Sequence, residues 1–292
     1  MKKNVLFFSP TFYDLPLNEN IKKKYDNLSE VANVTVLAFS SQKKIHTESE
    51  TTFYLNKKNK SRIFNYLKIF FVSYFQIPKL ISQYEIEIVT FQDPVTSFLG
   101  VYKIKKKYKD VKIVIESHGD FINTLELEKN LTFPNLYKNL FSRMASYTIN
   151  CADMLRAVSS STEEQALSFN PSKRVVRFPA WIDFEIFSNI EPLRDGSGKF
   201  KILFIGSVTD RKKPHMIIDA LPELISDQVE LNIVGPTPNQ NYLESLKEKI
   251  KSKNVEDRVF IHGNKNRDEV KKFYSENNLM ILPSVSEGLA RV

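Results

Sequence analysis

The chain has 292 residues, 42% of them hydrophobic, which exceeds the usual single domain of roughly 100 to 200 residues and suffices for two cores. Its 42 Lys and Arg against 34 Asp and Glu give a net charge of +8, which favours an anionic partner: nucleic acid, an anionic membrane surface or a phosphorylated small molecule. One cysteine, Cys151, excludes an intramolecular disulfide and a cysteine-based metal site and suits a reducing cytoplasm.

Short apolar runs alternate with helix-length amphipathic segments, the pattern of α/β domains built on parallel sheets. Met1-Lys2-Lys3-Asn4 precedes only a short apolar run, Val5–Phe8, which reads as a first strand rather than a signal peptide. Further strands are expected at Val34–Phe39, Ile86–Phe91, Lys112–Glu116, Arg156–Ser159 and Arg174–Phe178. Between them, Leu67, Phe70, Phe71, Tyr74 and Phe75 recur at helical spacing, so Ile63–Gln83 reads as a helix with a wide apolar face. Two readings of that helix stand: a crossover covering a sheet, which the alternating pattern favours, and a basic aromatic helix lying on a membrane. The longest apolar stretch, Ile69–Phe75, is far short of the ~18 to 20 residues a bilayer span needs.

Pro, Gly and Ser concentrate between Ile190 and Lys199 without apolar periodicity, so a linker is placed at 191–199 between domains at 1–190 and 200–292. The α/β rhythm then resumes with strands at Phe200–Ile205, Val229–Val234, Arg258–Ile261 and Leu279–Leu282. Helices fall at Pro214–Ile225, Tyr242–Lys253 and Arg267–Glu276, with Pro222 an awkward residue inside the first.

Three of the eight glycines, Gly206, Gly235 and Gly263, stand where second-half strands end, the edge at which open α/β sheets bind ligands. Arg211, Lys212 and Lys213 put three cations beside the first of them; taken alone, such a run is usually a solvated loop. A dinucleotide Gly-x-Gly-x-x-Gly fingerprint and a P-loop are absent, and so are the zinc-finger and RNP-type patterns of nucleic-acid readers.

Gly206, Lys212 and Asp219-Ala220 resemble, in spacing, the Gly-Arg…Lys-Gly…Glu-Ala element of retaining glycosyltransferases of family 4, which have the GT-B fold. Pro283-Ser284-Val285-Ser286-Glu287-Gly288 is similar to the start of that family's E-x7-E motif. Asp93, His118-Gly119, Ala152-Asp153…Val158-Ser159 and Pro179…Asp183…Phe187 extend the resemblance over nearly the whole chain.

The resemblance implies two Rossmann-like domains facing a cleft, the second incomplete because the chain ends three residues before the family's second Glu. It implies transfer of a sugar, with retention, from a UDP- or GDP-sugar to a glycan or lipid-linked acceptor. The setting implied is bacterial polysaccharide or cell-envelope glycan synthesis in the cytoplasm, with peripheral contact to an anionic membrane. No nucleic-acid partner is expected, and with no Asp-x-Asp, no metal.

Catalytic roles implied by the resemblance fall on Lys212 (charge of the departing diphosphate), Glu287 (hydroxyls of the donor sugar) and His118 (the donor sugar or the leaving oxygen), with Asp120 a lesser acceptor-side candidate. The donor-binding set is Gly206, Ser207, Arg211, Lys212, Gly235, Gly263 and Asn264, continued by Ser286, Glu287, Gly288 and Leu289. Ser207 replaces the family's Arg and cannot supply that residue's planar fork for phosphate oxygens, a role Arg211 or Lys213 would have to take. The resemblance therefore also admits a nucleotide-sugar binder without turnover, an inactive remnant of such an enzyme, or a GT-B-like epimerase.

Overall fold

The computed structural model describes residues 2–59, 61–119, 134–181, 187–192, 198–224 and 228–285. The chain divides into two compact units, Met1–Ile182 and Asp183–Val292. Of the linker expected at 191–199, residues 193–197 lie outside the described residues.

The first unit is built on strands β1 (Lys3–Phe12), β2 (Ala32–Ser40), β3 (Lys44–Glu48), β4 (Thr51–Lys57), β5 (Ile88–Phe91), β6 (Lys112–Ser117), β7 (Met154–Ala157) and β8 (Val175–Arg177). They form one sheet in the order β3-β4-β2-β1-β5-β6-β7-β8, parallel except where β3 pairs antiparallel with β4 at the edge. Helices α1 (Glu19–Val31), α2 (Arg62–Tyr84), α3 (Phe98–Lys107), α4 (Pro134–Cys151) and α5 (Ser160–Phe169) connect them. Phe8, Leu37, Val89, Phe91, Ile113 and Ile115 are buried in the core that also takes residues of α2 to α4, whereas Val34, Val36 and Phe53 are buried with Tyr25 of α1. Gly100 lets α3 approach closely, since a Cβ there would lie 3.0 Å from the Phe91 ring and 3.2 Å from Ile77 and Ser73.

The β3–β4 hairpin was not among the expected strands. Lys44-Ile45-His46-Thr47-Glu48 has a single apolar residue, because an edge strand with one open face needs little burial. The strand expected at Arg156–Ser159 lies at Met154–Ala157. Ser159 instead caps α5, its hydroxyl accepting from the Thr162 amide while the Thr162 hydroxyl accepts from the Ser159 amide.

The second unit carries β9 (Phe200–Ile205), β10 (Val229–Val234), β11 (Val259–Gly263) and β12 (Leu279–Met280), a parallel sheet in the order β11-β10-β9-β12. Its helices are α6 (Pro214–Ala220), α7 (Gln240–Ser252) and α8 (Arg267–Glu276). Ile202, Phe204, Leu231 and Ile233 pack with Ile217, Ile218, Leu246 and Ile250 of α6 and α7, and Leu203, Ile205 and Val234 pack with Val270 and Phe273 of α8. The α6 helix stops five residues before the expected Ile225. Pro222 has no N–H for the Ile218 carbonyl, which accepts from Leu221 instead as the chain tightens into a 3-10 turn at Leu221–Glu223.

Candidate functional site

In the second unit the chain runs from β9 to β10 and β11 on one side, then crosses to β12 on the other. The β9/β12 boundary is thus a topological switch point, where loops diverge and leave a crevice at the carboxyl edge of the sheet. The predicted strand-end glycines line this edge. Gly206, Gly235 and Gly263 have φ of 150°, 144° and 69°, a region that disfavours residues with a Cβ. Hydrogen bonds tie the three strand ends together: Gly206 N–H to the Val234 carbonyl (2.9 Å), Gly235 N–H to the Gly263 carbonyl (2.8 Å) and Val208 N–H to the Pro236 carbonyl (2.9 Å). Glycine at 235 is a steric requirement, because a Cβ would stand 1.9 Å from the Gly206 carbonyl oxygen. At Gly263 nothing lies within 4 Å of that position, and Asn264 beyond it is exposed.

Beyond Ser207 the buried Val208 anchors the basic loop. Asp210–Lys212 form a 3-10 turn in which the Thr209 carbonyl accepts from the Lys212 amide (3.1 Å). Lys213 then adopts φ 52° and Pro214 starts α6. The Arg211 carbonyl accepts from the Val285 amide at 3.1 Å, fastening the segment after β12 to this loop. Ser286, Glu287, Gly288 and Leu289 lie outside the described residues, as does Asp120. Two hydroxyls of this edge, Thr209 Oγ1 and Ser284 Oγ, are buried without a hydrogen-bond partner among the described residues, a costly state that a polar ligand would relieve.

Histidines flank the same edge. His215 Nδ1 meets the Tyr242 hydroxyl at 2.9 Å, and burial, with Lys213 nearby, lowers its pKa; burial holds Tyr242 up at about 12. His262 Nε2 bonds the Asn232 side chain at 2.7 Å, and burial, then Lys265, pushes its pKa down. Both are neutral-favouring sites that sequence reasoning passed over, because their partners lie 27 and 30 residues away.

In the first unit the chain reverses direction at β1/β5, and Asp93 follows β5 there. Burial raises the pKa of Asp93, against the opposing pull of the Thr96 amide that donates to it at 2.5 Å. His118 follows β6, and its Nε2 lies 2.6 Å from Oε2 of Glu116. That oxygen also takes Nη1 of Arg156 at 2.8 Å, from the cross-strand neighbour on β7. Arg156 in turn donates from Nη2 to the Pro179 carbonyl (2.9 Å), and its guanidinium lies 4.1 Å from the Phe178 ring centroid. Burial of Glu116 opposes ionisation, but the His118 hydrogen bond and the Arg156 and His118 charges outweigh it and hold its carboxyl below the usual range. An ionised carboxylate only accepts, so Nε2 of His118 carries the proton and Nδ1 is the nitrogen left for another partner. The sequence singled out His118 but not Glu116, which bonds it, or Arg156, which bonds Glu116.

Two units on largely parallel sheets, with glycines and cations at the second unit's switch point, match the parts of a GT-B fold. The pattern of Glycosyltransferase Family 4 matches residues 30–186, more than half of the chain, and that of Glycosyl transferases group 1 matches residues 186–292. The chain belongs to glycosyltransferase family 4.

Among solved structures, it is similar to sucrose-phosphate synthase from Thermosynechococcus elongatus, with a TM-score of 0.75 and 13% identity over 99% of this chain and 77% of that one. Trehalose 6-phosphate synthase from Burkholderia multivorans matches with a TM-score of 0.73 and 10% identity over 99% and 80%. HepE from Anabaena, solved in complex with UDP, matches with a TM-score of 0.63 and 13% identity over 96% and 74%. No curated protein matches the chain in sequence.

Proposed function

We propose that this glycosyltransferase moves a sugar from a UDP- or GDP-sugar to a glycan or lipid-linked acceptor, with retention and without a metal, in bacterial polysaccharide or cell-envelope glycan synthesis. The observation that carries the reading is the hydrogen bond from Val285 to Arg211, which anchors the segment leading to Glu287 beside the basic loop and the glycine edge. The UDP found in HepE supports a nucleotide donor.

In this reading the small residues Gly206, Ser207, Gly235 and Gly263 admit the nucleotide diphosphate to the backbone, with Asn264 beside them. Lys212 and Arg211 offset the charge that builds on the departing diphosphate, where a preorganised cation is worth more than in water. Arg211 stands in for the Arg that Ser207 replaces. From the resemblance, Glu287 holds donor-sugar hydroxyls, and Ser286, Gly288 and Leu289 belong to the same donor-binding set. His118, oriented by Glu116, hydrogen-bonds the donor sugar or the leaving oxygen. The place proposed is the cytoplasm, at the inner face of an anionic plasma membrane. Among the described residues, no helix is long and apolar enough to cross a membrane.

Incubating the chain with UDP- and GDP-sugars and following nucleoside diphosphate release, with the product's anomeric configuration read by NMR, tests the reading. Transfer or slow donor hydrolysis with retained configuration is expected. Binding without release would favour the alternative that Ser207 raises, a nucleotide-sugar binder without turnover, and interconversion of the sugar would favour an epimerase.

A further inference from the structure

Trp181 is the only tryptophan of the chain, and 38% of it is exposed. Phe178, three residues earlier, is 48% exposed. Rings of this size are mostly covered in folded proteins, and these two are left open to water although both are tied down. Trp181 Nε1 donates to Asn20 Oδ1 at 3.0 Å, which reaches back to the first turn of α1. Phe178 extends β8, its amide donating to the Ala157 carbonyl at 3.1 Å, and the Arg156 guanidinium lies over its ring at 4.1 Å from the centroid. Between the two, the Pro179 carbonyl accepts from Arg156 at 2.9 Å. A segment pinned at these points has little freedom left to lose when a ligand settles on its rings.

The same contacts relate the rings to His118. Strands β6, β7 and β8 are parallel neighbours, so His118 and Phe178 leave the sheet at one carboxyl edge, from strands about 10 Å apart. Arg156 connects them: Nη2 holds the Pro179 carbonyl, Nη1 holds the Glu116 carboxylate, and that carboxylate holds His118. Aromatic faces rimmed by hydrogen-bonding side chains such as Asn20 and His118 suit a ligand with apolar C–H faces and hydroxyl edges, which describes a sugar ring. An alkyl chain fits less well, because the guanidinium over Phe178 and the amide at Trp181 interrupt the apolar surface.

We propose that Trp181 and Phe178 are the acceptor platform: a sugar ring of the acceptor stacks on the Trp181 indole, beside Phe178, and directs a hydroxyl towards Nδ1 of His118. The proposal rests on the transferase reading above and narrows its acceptor to one recognised through a sugar ring.

Because Trp181 is the only tryptophan, its fluorescence reports on the platform directly. Oligosaccharides of glucose, galactose, mannose and N-acetylglucosamine are titrated into the full chain, with octyl glycosides of the same sugars in parallel. At least one oligosaccharide is expected to change the emission saturably and to receive NMR saturation from the protein at its ring C–H protons. By calorimetry, Trp181→Ala is expected to weaken that sugar about tenfold, and Trp181→Phe, which keeps a ring but not the Asn20 bond, only about threefold. A clamp that merely holds the segment would lose as much in both variants, so equal losses overturn the proposal. So do an emission unmoved by every oligosaccharide and an affinity that follows the octyl chain whatever the sugar. UDP or GDP bound more weakly by Trp181→Ala would assign the ring to a nucleobase and overturn it too. Diphosphate binding to the parent chain is the separate readout of the transferase reading: its absence sinks that reading, whereas its presence without any sugar response sinks the platform alone.

Discussion

At the scale of residues, the strand-end glycines differ in why they are needed. Gly235 combines φ 144° with the Gly206 carbonyl, which would stand 1.9 Å from an added Cβ, whereas Gly263 has only its φ of 69° to protect. Gly235→Ala is therefore expected to cost about 3 kcal/mol, from strain plus a backbone clash, and Gly263→Ala about 1 kcal/mol, from strain alone. Urea denaturation of the two variants checks the ranking, and equal losses would mean that the close approach of the two strand ends does not matter to stability. The positions of these glycines could be read from the sequence because strand ends punctuate a periodic pattern. The reason for Gly235 could not, because it depends on the neighbouring strand's carbonyl.

At the scale of elements, the pairing of β6 with β7 sets Glu116 against Arg156, a relation across 40 residues that no local pattern encodes. Glu116, the partner of His118, lies only two residues from it on a strand legible from Lys112 to Glu116, but the Arg156 that helps to hold it ionised was hidden by that distance. Helix ends were less legible: Pro222 ends α6 early. Of the hairpin, β3 lacks the apolar alternation that marks a half-buried strand, whereas β4, with Phe53 and Leu55 buried, has it and was passed over. Because the folded-state pKa of Glu116 is depressed, its contribution to stability is full above the unfolded pKa and is lost as pH falls through the folded value. Glu116→Gln leaves Arg156 and His118 without their counter-charge. It is expected to destabilise the first unit by about 3 kcal/mol at neutral pH. In urea melts, the gap from the parent chain should narrow as pH drops below about 4; a constant gap across that range would show that the carboxylate's charge is not what the site uses.

At the scale of the whole molecule, two units, Met1–Ile182 and Asp183–Val292, each enclose a core of their own; the α/β alternation in each was legible in the sequence, whereas the linker expected at 191–199 does not coincide with their boundary. The distribution of charge was less readable. Composition gave a net +8, but the packing of α2 on α3 and of α3 on α4 gathers eight cations among the described side chains of these helices, and no carboxylate.

The central claim is that the basic loop and glycine edge of the second unit take a nucleoside diphosphate, and calorimetric titration of UDP and GDP into the full chain tests it most directly. One of the two diphosphates is expected to bind, its nucleoside at least about tenfold more weakly, and Lys212→Ala is expected to weaken the diphosphate by about tenfold or more while leaving the nucleoside unchanged. Diphosphate affinity untouched by Lys212→Ala would contradict the account.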